Sequence, residues 1–325
     1  MYYDESQSIF RPTAKILRDS ISETGDRLTT FELTYHRFIH SELLTHRVFS
    51  RNSASSRAIP THKLIHLAKT ANVEPLEWGS NRKGMQPGEQ LTGEELASAR
   101  YIWYKAKVKA IDCAEQMNST GVHKQIVNRI LEPYLPITTI VSSTEFDNWF
   151  ELRLAESAQA EIRVLAEVMK SAYDRSQTTV TSTHMWHTPF ICVDDLQNEY
   201  INRQLLLLHN NYRSALKPVS LELGMDYNAD RTFPMFLLLA SAGKCARVSY
   251  LNHFGEHSII DDVNLCLRLI KDKHLSPLEH IATPYSNVTK GNFSNWSQLR
   301  HSKLVRLLNA AQVDTIDFSN EGELK

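Results

Sequence analysis

The clearest alternation of apolar and polar residues lies near the N-terminus, where residues 29–36 read TTFELTYH. A period of two predicts a β-strand. Between Phe38 and Phe49 the apolar residues recur at helical spacing, so the strand is predicted to lead directly into a helix. The segment that follows Phe49, SRNSASSRAIP, lacks both periods and is predicted to be a polar loop.

Helical periodicity dominates the rest of the chain. It predicts helices over residues 61–71, 91–119, 121–131, 198–216, 233–243 and 293–308, and another that includes residues 265–270. The clearest predicted helix covers residues 148–173, which contain no Gly or Pro, and Ser142 with Glu145 fits a capping box before it. Residues 280–288 suit a second strand, and residues 217–231 a loop. The predicted fold class is α+β, helix-rich with a mixed sheet.

No low-complexity linker divides the sequence, so we expect residues 1–325 to form a single interwoven module. Within it, residues 1–175 and 232–325 are predicted to be two halves, and residues 176–231 a connecting segment. The strand and helix predicted near the N-terminus recur in type over residues 280–308, which suggests a partial duplication.

Composition excludes several classes of protein. The 36 Lys and Arg residues nearly balance the 37 Asp and Glu residues, which argues against a dedicated nucleic-acid or membrane surface. The four cysteines are far apart and form no CxxC pair, so neither a disulfide framework nor a zinc knuckle is predicted. No apolar run of membrane-spanning length and no secretory leader occurs, and we expect a cytoplasmic protein.

Two other kinds of site are not favoured. His184 and His187, in THMWHTP, have the spacing of metal ligands, but no nearby Cys or carboxylate pair completes a tetrahedral set. A structural or substrate-contacting role is the preferred interpretation, and no metal is expected. The sequence also lacks GxGxxG, so a cofactor is not expected to bind at a Rossmann turn.

The polar loop after Phe49 is rich in groups that bind phosphate. Arginine bonds a phosphate bidentately, and hydroxyl and amide groups satisfy its remaining lone pairs. The loop contains Ser50, Ser53, Ser55, Ser56, Asn52, Arg51 and Arg57, and Arg47 lies just before it. The alternative from composition alone is a serine-rich surface turn.

The spacing in this loop resembles the signature of flavin-dependent thymidylate synthases, in which Arg-His-Arg is followed after seven residues by Ser. The matching residues are His46, Arg47, Ser50, Asn52, Ser55 and Arg57, whereas Thr45 stands where the family usually has Arg. A second segment, NWFELRLAESAQAEIR at residues 148–163, is similar to the family's long active-site helix. Two further family motifs, CARVSY and SPLEH, occur near the C-terminus rather than before the first motif. The chain therefore resembles a rearranged or partly duplicated, longer family member.

The resemblance implies the family's fold, with long active-site helices, and its chemistry. Reduced FAD would pass a hydride to a pyrimidine nucleotide, methylenetetrahydrofolate would supply the carbon, and NADPH would reduce the flavin. No cysteine would attack the base. The implied reaction is the conversion of dUMP to dTMP during nucleotide biosynthesis, by a homo-oligomer (dimer or tetramer) with shared active sites. No nucleic-acid or membrane partner is expected.

The resemblance also implies roles for individual residues. Arg153 would act against the pyrimidine ring, and Ser55 is the second catalytic candidate. The implied flavin-binding residues are His46, Arg47, Val48, Ser50, Asn52, Asn148, Leu152, Ser276 and Glu279. The expected substrate-binding residues are Glu42, Ser55, Ser56, Arg57, Arg153 and Gln86, the last from the loop WGSNRKGMQ, for which an ordered surface loop is the alternative.

One departure from the family pattern leaves the substrate open. Glu42 stands where the family often has Gln, and a carboxylate only accepts hydrogen bonds, which favours a cytosine amino group over a uracil carbonyl. The alternatives are therefore flavin-dependent methylation or hydroxymethylation of dCMP or UMP. An alternative of another class is a non-catalytic nucleotide-binding homologue.

Overall fold

The computed structural model describes residues 8–191, 198–253, 255, 257–285 and 291–317. A five-stranded mixed sheet has the order β3-β4-β2-β1-β5. Its strands are β1 (Thr13–Ser22), β2 (Arg27–His36), β3 (Ser50–Ser53), β4 (Pro136–Ser143) and β5 (Thr179–Thr181). The first four pair antiparallel, and β5 pairs parallel with β1. Strands β6 (Ala282–Pro284) and β7 (Trp296–Gln298) form a separate pair.

Helices surround the sheet. They are α1 (His40–Leu44), α2 (Thr61–Thr70), α3 (Gly93–Ser119), α4 (Lys124–Val127), α5 (Asp147–Arg153), α6 (Ala160–Arg175), α7 (Glu199–Asn211), α8 (Arg213–Glu222), α9 (Ala229–Arg247), α10 (Ile259–Lys271) and α11 (Lys303–Ala311). Short 3₁₀ helices cover Arg37–Ile39, Asn128–Tyr134, Val248–Tyr250, Ser276–Glu279 and Leu299–His301. The predicted α+β class with a mixed sheet is confirmed.

The two faces of the large sheet pack against different parts of the chain. Side chains alternate along β2, so Phe31 and Leu33 join an N-terminal core with helices α2, α5 and α6. On the opposite face, Leu28 packs with Ala282, Phe293 and Trp296. Ile140 of β4 packs there with Cys245 and Val248. The sheet is therefore buried on both sides, and it separates the N-terminal core from the C-terminal helices.

Helices α9 and α10 pack closely at Gly243. A Cβ atom placed on Gly243 lies 2.2 Å from the backbone oxygen of Asp262, so only glycine fits this crossing. The buried carboxylate of Asp262 accepts from Arg247 Nε at 2.5 Å and lies 3.2 Å from Lys244 Nζ. The close backbone approach and this ion-pair group fix the register of the two helices.

The structure corrects the N-terminal predictions at three places. The predicted helix over residues 38–49 ends at Leu44, and part of the predicted loop is β3, which pairs with β4. Ser142 lies inside β4, so the predicted capping box is wrong. The predicted helix over residues 148–173 is two helices, α5 and α6, because the chain leaves the helical conformation between residues 154 and 159.

Predictions for the C-terminal region also need correction. The helix predicted over residues 198–216 is divided at Tyr212, and α8 extends into the predicted loop at residues 217–231. The strand predicted over residues 280–288 is only β6, with residues 286–290 outside the described part of the chain. Residues 293–308 contain β7 before α11, so they are not one helix.

In the part of the chain that the structure describes, no helix combines the length and the apolar character needed to cross a bilayer. Cys245 and Cys266 are buried free thiols, and Cys113 is a half-buried one. Cys192 lies outside the described residues.

Candidate functional site

Strand β3 presents alternate side chains to two different environments. Arg51 and Ser53 point to the side of the N-terminal core, where Thr139 Oγ1 donates to Ser53 Oγ at 3.0 Å. Ser50 and Asn52 point to the C-terminal region and contact Gln298 and His280. This short strand therefore connects the two groups of candidate residues.

The first group forms where the loop before β3 meets the end of α5. Arg153 Nε donates to His46 Nε2 at 3.0 Å, and Arg153 Nη2 donates to Thr45 Oγ1 at 3.3 Å. His46 is 8% exposed, packing edge-on against Trp149 and stacking on Phe49. The two sequence motifs that carry the family resemblance thus meet through their most distinctive side chains.

His46 acts as an acceptor in this contact. Burial, with added repulsion from the charges of Arg153 and Arg51, lowers the pKa of His46 to about 4. The imidazole is therefore neutral near pH 7, and its Nε2 lone pair holds the guanidinium of Arg153 in place.

Arg51 binds the backbone of the segment that carries His46. Its Nη1 donates to the backbone oxygens of Leu44 at 2.9 Å and His46 at 3.1 Å. The sequence marked Arg51 only as a possible phosphate donor, because its role depends on where β3 places its side chain. The sequence feature that could have indicated this role is that Arg51 directly follows Ser50, a predicted flavin-binding residue.

The surface beside Arg153 is partly apolar. Val48 is 40% and Leu152 is 51% exposed, and Leu44 is also exposed. Asn148 and Leu152 are four residues apart on α5 and so share a helix face. Arg47 is exposed next to Val48. The exposed apolar side chains are flanked by the amide of Asn148 and by the cations Arg47 and Arg153. Such a surface suits a planar ring with polar groups at its edges.

The second group lines a cavity of about 820 Å³. Its lining includes Asn52, Ser55 and Arg57 from the motif loop and Ser276 from the C-terminal region. The backbone N–H of Ser55 donates to the oxygen of Ser249 at 3.0 Å, so the CARVSY segment fixes the loop that carries the motif serine. The displaced C-terminal motifs and the N-terminal loop therefore meet at this cavity.

Cations outnumber carboxylates around this cavity. Arg57, Lys124 and Arg268 line it, together with the carboxylate of Asp272. Lys124 also donates to the backbone oxygen of Ala58 at 2.6 Å. Such an excess of positive charge favours an anionic ligand. Arg268 is a residue that sequence reasoning missed, since an exposed arginine on a helix carries no local signal of function.

Several predicted site residues use their polar groups in protein contacts. Ser50 Oγ accepts from Gln298 Nε2 at 3.0 Å, and Ser56 Oγ donates to Glu132 Oε1 at 2.6 Å. Glu279 forms an ion pair with Arg300. The polar groups of these three side chains therefore have protein partners, and no ligand is needed to explain their positions.

Two predicted substrate-binding residues lie apart from the cavity lining just described. Gln86 Nε2 donates to the backbone oxygen of Ser157 at 2.9 Å, and Gln86 lines a different cavity of about 350 Å³. Glu42 is half-buried on α1 and accepts from Ser41 Oγ at 2.9 Å. Glu42 is thus three residues from Thr45, on the side of the Arg153 group.

His187 is fully buried, hydrogen-bonded to Thr30 at 2.7 Å and to Ser20 at 2.9 Å. His184 is exposed. Among the described residues, no cluster of three or more His, Cys, Asp or Glu side chains is arranged to hold a metal ion. The structural interpretation of His187 therefore agrees with its contacts.

The sequence model of one protein family, described as thymidylate synthase complementing protein, matches residues 26–175. Over these residues the chain is similar to that family. The matched segment contains both His46 and Arg153, and it ends where α6 ends. The family resemblance predicted from the two motifs is confirmed over this segment, and it supports a nucleotide methyltransferase-like enzyme.

Two solved structures illustrate similarity to known proteins. Both are of a UMP/dUMP methylase, PolB, from Streptomyces cacaoi. The structure bound with 5-Br dUMP is 15% identical, with a TM-score of 0.41, over 50% of this chain and 90% of that one. The structure bound with 5-Br UMP is 14% identical, with a TM-score of 0.42, over 50% of this chain and 89% of that one. No curated protein matches this sequence.

We expect the protein to lose stability as the pH falls below neutral, because buried histidines stay neutral in the folded state. Burial lowers the pKa of His280 from 6.5 to about 3 and also lowers the pKa of His187. Between about pH 6.5 and 3 the unfolded chain binds protons that the folded chain does not. Each histidine should then cost about 1.4 kcal/mol per pH unit.

Urea unfolding at intervals from pH 7.5 to 4.5 measures this dependence. A His280→Gln variant should show a shallower decline than the wild type, since it removes one of the contributing groups. A free energy of unfolding that stays constant between pH 7 and 5 would contradict the prediction.

Proposed function

We propose that this chain is an FAD-dependent enzyme that transfers a one-carbon unit from methylenetetrahydrofolate to C5 of a pyrimidine nucleotide, with NADPH as reductant and dUMP to dTMP as the first candidate reaction. The observation that carries the proposal is the bond between Arg153 and His46. It joins the loop motif to the active-site helix motif, both inside the family segment.

The surface beside this bond fits a flavin. A flavin needs an apolar face and hydrogen-bonding groups at the ring edge, and Val48, Leu152, Asn148 and Arg47 supply these chemistries. Bound flavin would supply the hydride that the pyrimidine receives. Asn52 and Ser276 would contact the same cofactor from the cavity side, while Ser50 and Glu279 would support its site through Gln298 and Arg300.

Arg153 would stabilise negative charge that develops on the pyrimidine. Its guanidinium stays cationic, and the neutral imidazole of His46 orients it through Nε without competing for a proton. Among the described residues, Nη1 of Arg153 has no hydrogen-bond partner, which leaves a donor for a ring carbonyl. A preorganised cation of this kind costs no reorganisation during the reaction.

The nucleotide phosphate would bind at the cationic cavity. Ser55 and Arg57 come from the motif loop, and both line the cavity. Ser55 is held by its backbone bond to Ser249, which fixes the direction of its hydroxyl-bearing carbon. Hydroxyl and guanidinium donors together are a typical phosphate site.

The carboxylate of Glu42 is expected to shift substrate preference towards cytosine. A Glu42→Gln variant should therefore raise the ratio of kcat/KM for dUMP over dCMP about tenfold, since an amide also donates to a uracil carbonyl. Steady-state rates with both nucleotides measure this ratio. A Glu167→Gln variant, at an exposed position of α6, is the matched control. An unchanged ratio in Glu42→Gln would remove the basis of the hypothesis.

The decisive experiment is an anaerobic assay of purified protein with FAD, NADPH and methylenetetrahydrofolate. The nucleotides dUMP, dCMP and UMP are offered in parallel, and products are identified by mass spectrometry. Methyl transfer to dUMP supports the first candidate. Methylation or hydroxymethylation of dCMP or UMP keeps the flavin reaction and changes the substrate. No flavin binding and no turnover would favour a non-catalytic nucleotide-binding homologue.

We further propose that residues 1–325 act as one module and assemble into a homo-oligomer with shared sites. Leu44, Val48 and Leu152 are exposed beside Arg153, and a second subunit would cover them together with the flavin. Light scattering during size-exclusion chromatography measures the subunit count, and a monomer that is fully active would contradict the shared site.

A further inference from the structure

A continuous chain of hydrogen bonds crosses the sheet beneath the cavity. We call it the buried hydrogen-bond chain. Its members, in order, are Asn52, His280, Ser142, Thr30, His187 and Ser20. The five successive distances are 3.1, 2.8, 2.6, 2.7 and 2.9 Å. The five members other than Asn52 have almost no exposed surface.

The strand register explains why these side chains line up. Thr30 on β2 pairs with Ser142 on β4, and Ser142 pairs with Ser50 on β3. Paired residues in neighbouring strands point to the same face, so their hydroxyls form a row. Both histidines lie outside the family segment, and each bonds to one hydroxyl group inside it.

The surroundings of Asn52 fix the orientation of its amide. The amide atom that faces His280 Nε2 at 3.1 Å also faces the backbone oxygens of Arg51 and Ser276, each at 3.2 Å. Backbone oxygens only accept hydrogen bonds, so this position belongs to the NH₂ group. The carbonyl oxygen of Asn52 then lies on the side of Ser276 Oγ, at 3.4 Å, in the cavity wall.

This orientation sets the direction of the whole chain. Because an NH₂ group faces His280 Nε2, the proton of that imidazole is on Nδ1 and is donated to Ser142. Ser142 then donates to Thr30, and Thr30 donates to His187 Nε2. His187 therefore carries its proton on Nδ1 and donates to Ser20. Burial keeps both imidazoles neutral by lowering the pKa of His187 and of His280.

We propose that the buried hydrogen-bond chain is a positioning device from the C-terminal region, which holds the Asn52 carbonyl oxygen towards the cavity to accept the imide N–H of a bound ring. Flavin and uracil both carry such an imide. The identity of the ring rests on the proposed function, whereas the direction of the chain does not. His280, Thr30 and His187 are positioning residues, since they act through Asn52.

The direction can be measured by the tautomers of the two histidines. Long-range ¹H–¹⁵N correlation spectra of protein labelled in its histidines distinguish Nδ1–H from Nε2–H, and His187→Gln and His280→Gln variants assign the signals. We expect Nδ1–H at both residues near pH 7. An Nε2–H tautomer at His280 would overturn the proposal, because Asn52 would then present its NH₂ group to the cavity.

The functional effect can be measured by breaking the chain at its middle. Thr30→Val removes the hydroxyl with little change of shape, and Thr30→Ser restores it. The matched control is Thr34→Val, on the same face of β2, where the hydroxyl bonds to Thr138 at 3.1 Å and is not a member of the buried hydrogen-bond chain. We expect Thr30→Val to weaken binding about tenfold, the usual scale for one misplaced hydrogen bond. The affinities of Thr30→Ser and Thr34→Val should stay within about twofold of the wild-type affinity.

Binding is measured separately for FAD, by the change in flavin fluorescence, and for dUMP, by calorimetry. A loss confined to FAD assigns the imide to flavin, and a loss confined to dUMP assigns it to uracil. A folded Thr30→Val variant that binds both ligands as the wild type does would overturn the proposal. If Thr30→Val does not fold, the histidine tautomers measured in the wild-type protein decide whether the proposal holds. Wild-type protein that binds neither ligand would contradict the proposed function, and the tautomers would still decide the direction of the chain.

Discussion

Replacement of Arg153 by alanine is expected to lower kcat/KM by about a hundredfold to a thousandfold, the range seen when one preorganised donor to a developing charge is removed. Arg153 is fixed by His46 at 3.0 Å and carries the positive charge beside the proposed pyrimidine site. The measurement is the steady-state rate with the nucleotide that the wild type converts, under the anaerobic conditions given above.

The control is Arg175→Ala, at the C-terminal end of α6, which removes an exposed arginine from outside the site. Its kcat/KM should match that of the wild type. The charge of Arg153 also contributes to the low pKa of His46, so this pKa should rise in Arg153→Ala. A kcat/KM within about threefold of the wild type would contradict the role given to Arg153.

Replacement of Gly243 by alanine is expected to reduce the free energy of unfolding by about 3 kcal/mol, the upper part of the range for overpacked sites. The added methyl group would meet the backbone of Asp262 at 2.2 Å, and a backbone cannot move aside as a flexible side chain can. Separation of α9 from α10 would also disturb the bonds that Asp262 makes with Arg247 and Lys244. Urea unfolding at pH 7.5 measures the loss.

Helix propensity alone would act in the opposite direction, since alanine in a helix is about 1 kcal/mol better than glycine. A loss of stability in Gly243→Ala therefore reports the contact and not the propensity. Ser214→Ala, at an exposed position of α8, is the control and should change stability by less than about 0.5 kcal/mol. An unchanged or higher midpoint in Gly243→Ala would show that the two helices separate without cost.

Elements with a strong local period and motifs with a fixed spacing could be predicted from the sequence. Strand β2 and helices α2 and α3 lie within two residues of their predicted bounds. Local periodicity suffices there, because one face of each element packs while the pattern along the chain stays regular. The spacing of His46, Arg47 and Arg153 pointed to the family, which the match over residues 26–175 confirmed.

The sequence did not determine the strands that are buried on both faces or interrupted. β1 contains an irregularity between Ile16 and Arg18, which breaks its period of two. β4 is almost entirely buried, so its hydroxyls and apolar residues do not alternate between core and solvent. β3 has four polar or charged residues and exists because it pairs with β4.

The tertiary structure alone decided which polar groups of the motif loop remain available to a ligand. Ser55 and Ser56 are neighbouring serines with the same chemistry, but of the two only Ser55 lines the cavity. Ser56 donates instead to Glu132, which lies 76 positions further along the chain. The partners of Thr30, Ser142 and Asn52 in the buried hydrogen-bond chain lie 157, 138 and 228 positions away. No local pattern encodes such contacts, because a hydroxyl or an imidazole finds its partner only after the strands have paired and the C-terminal region has packed on the sheet.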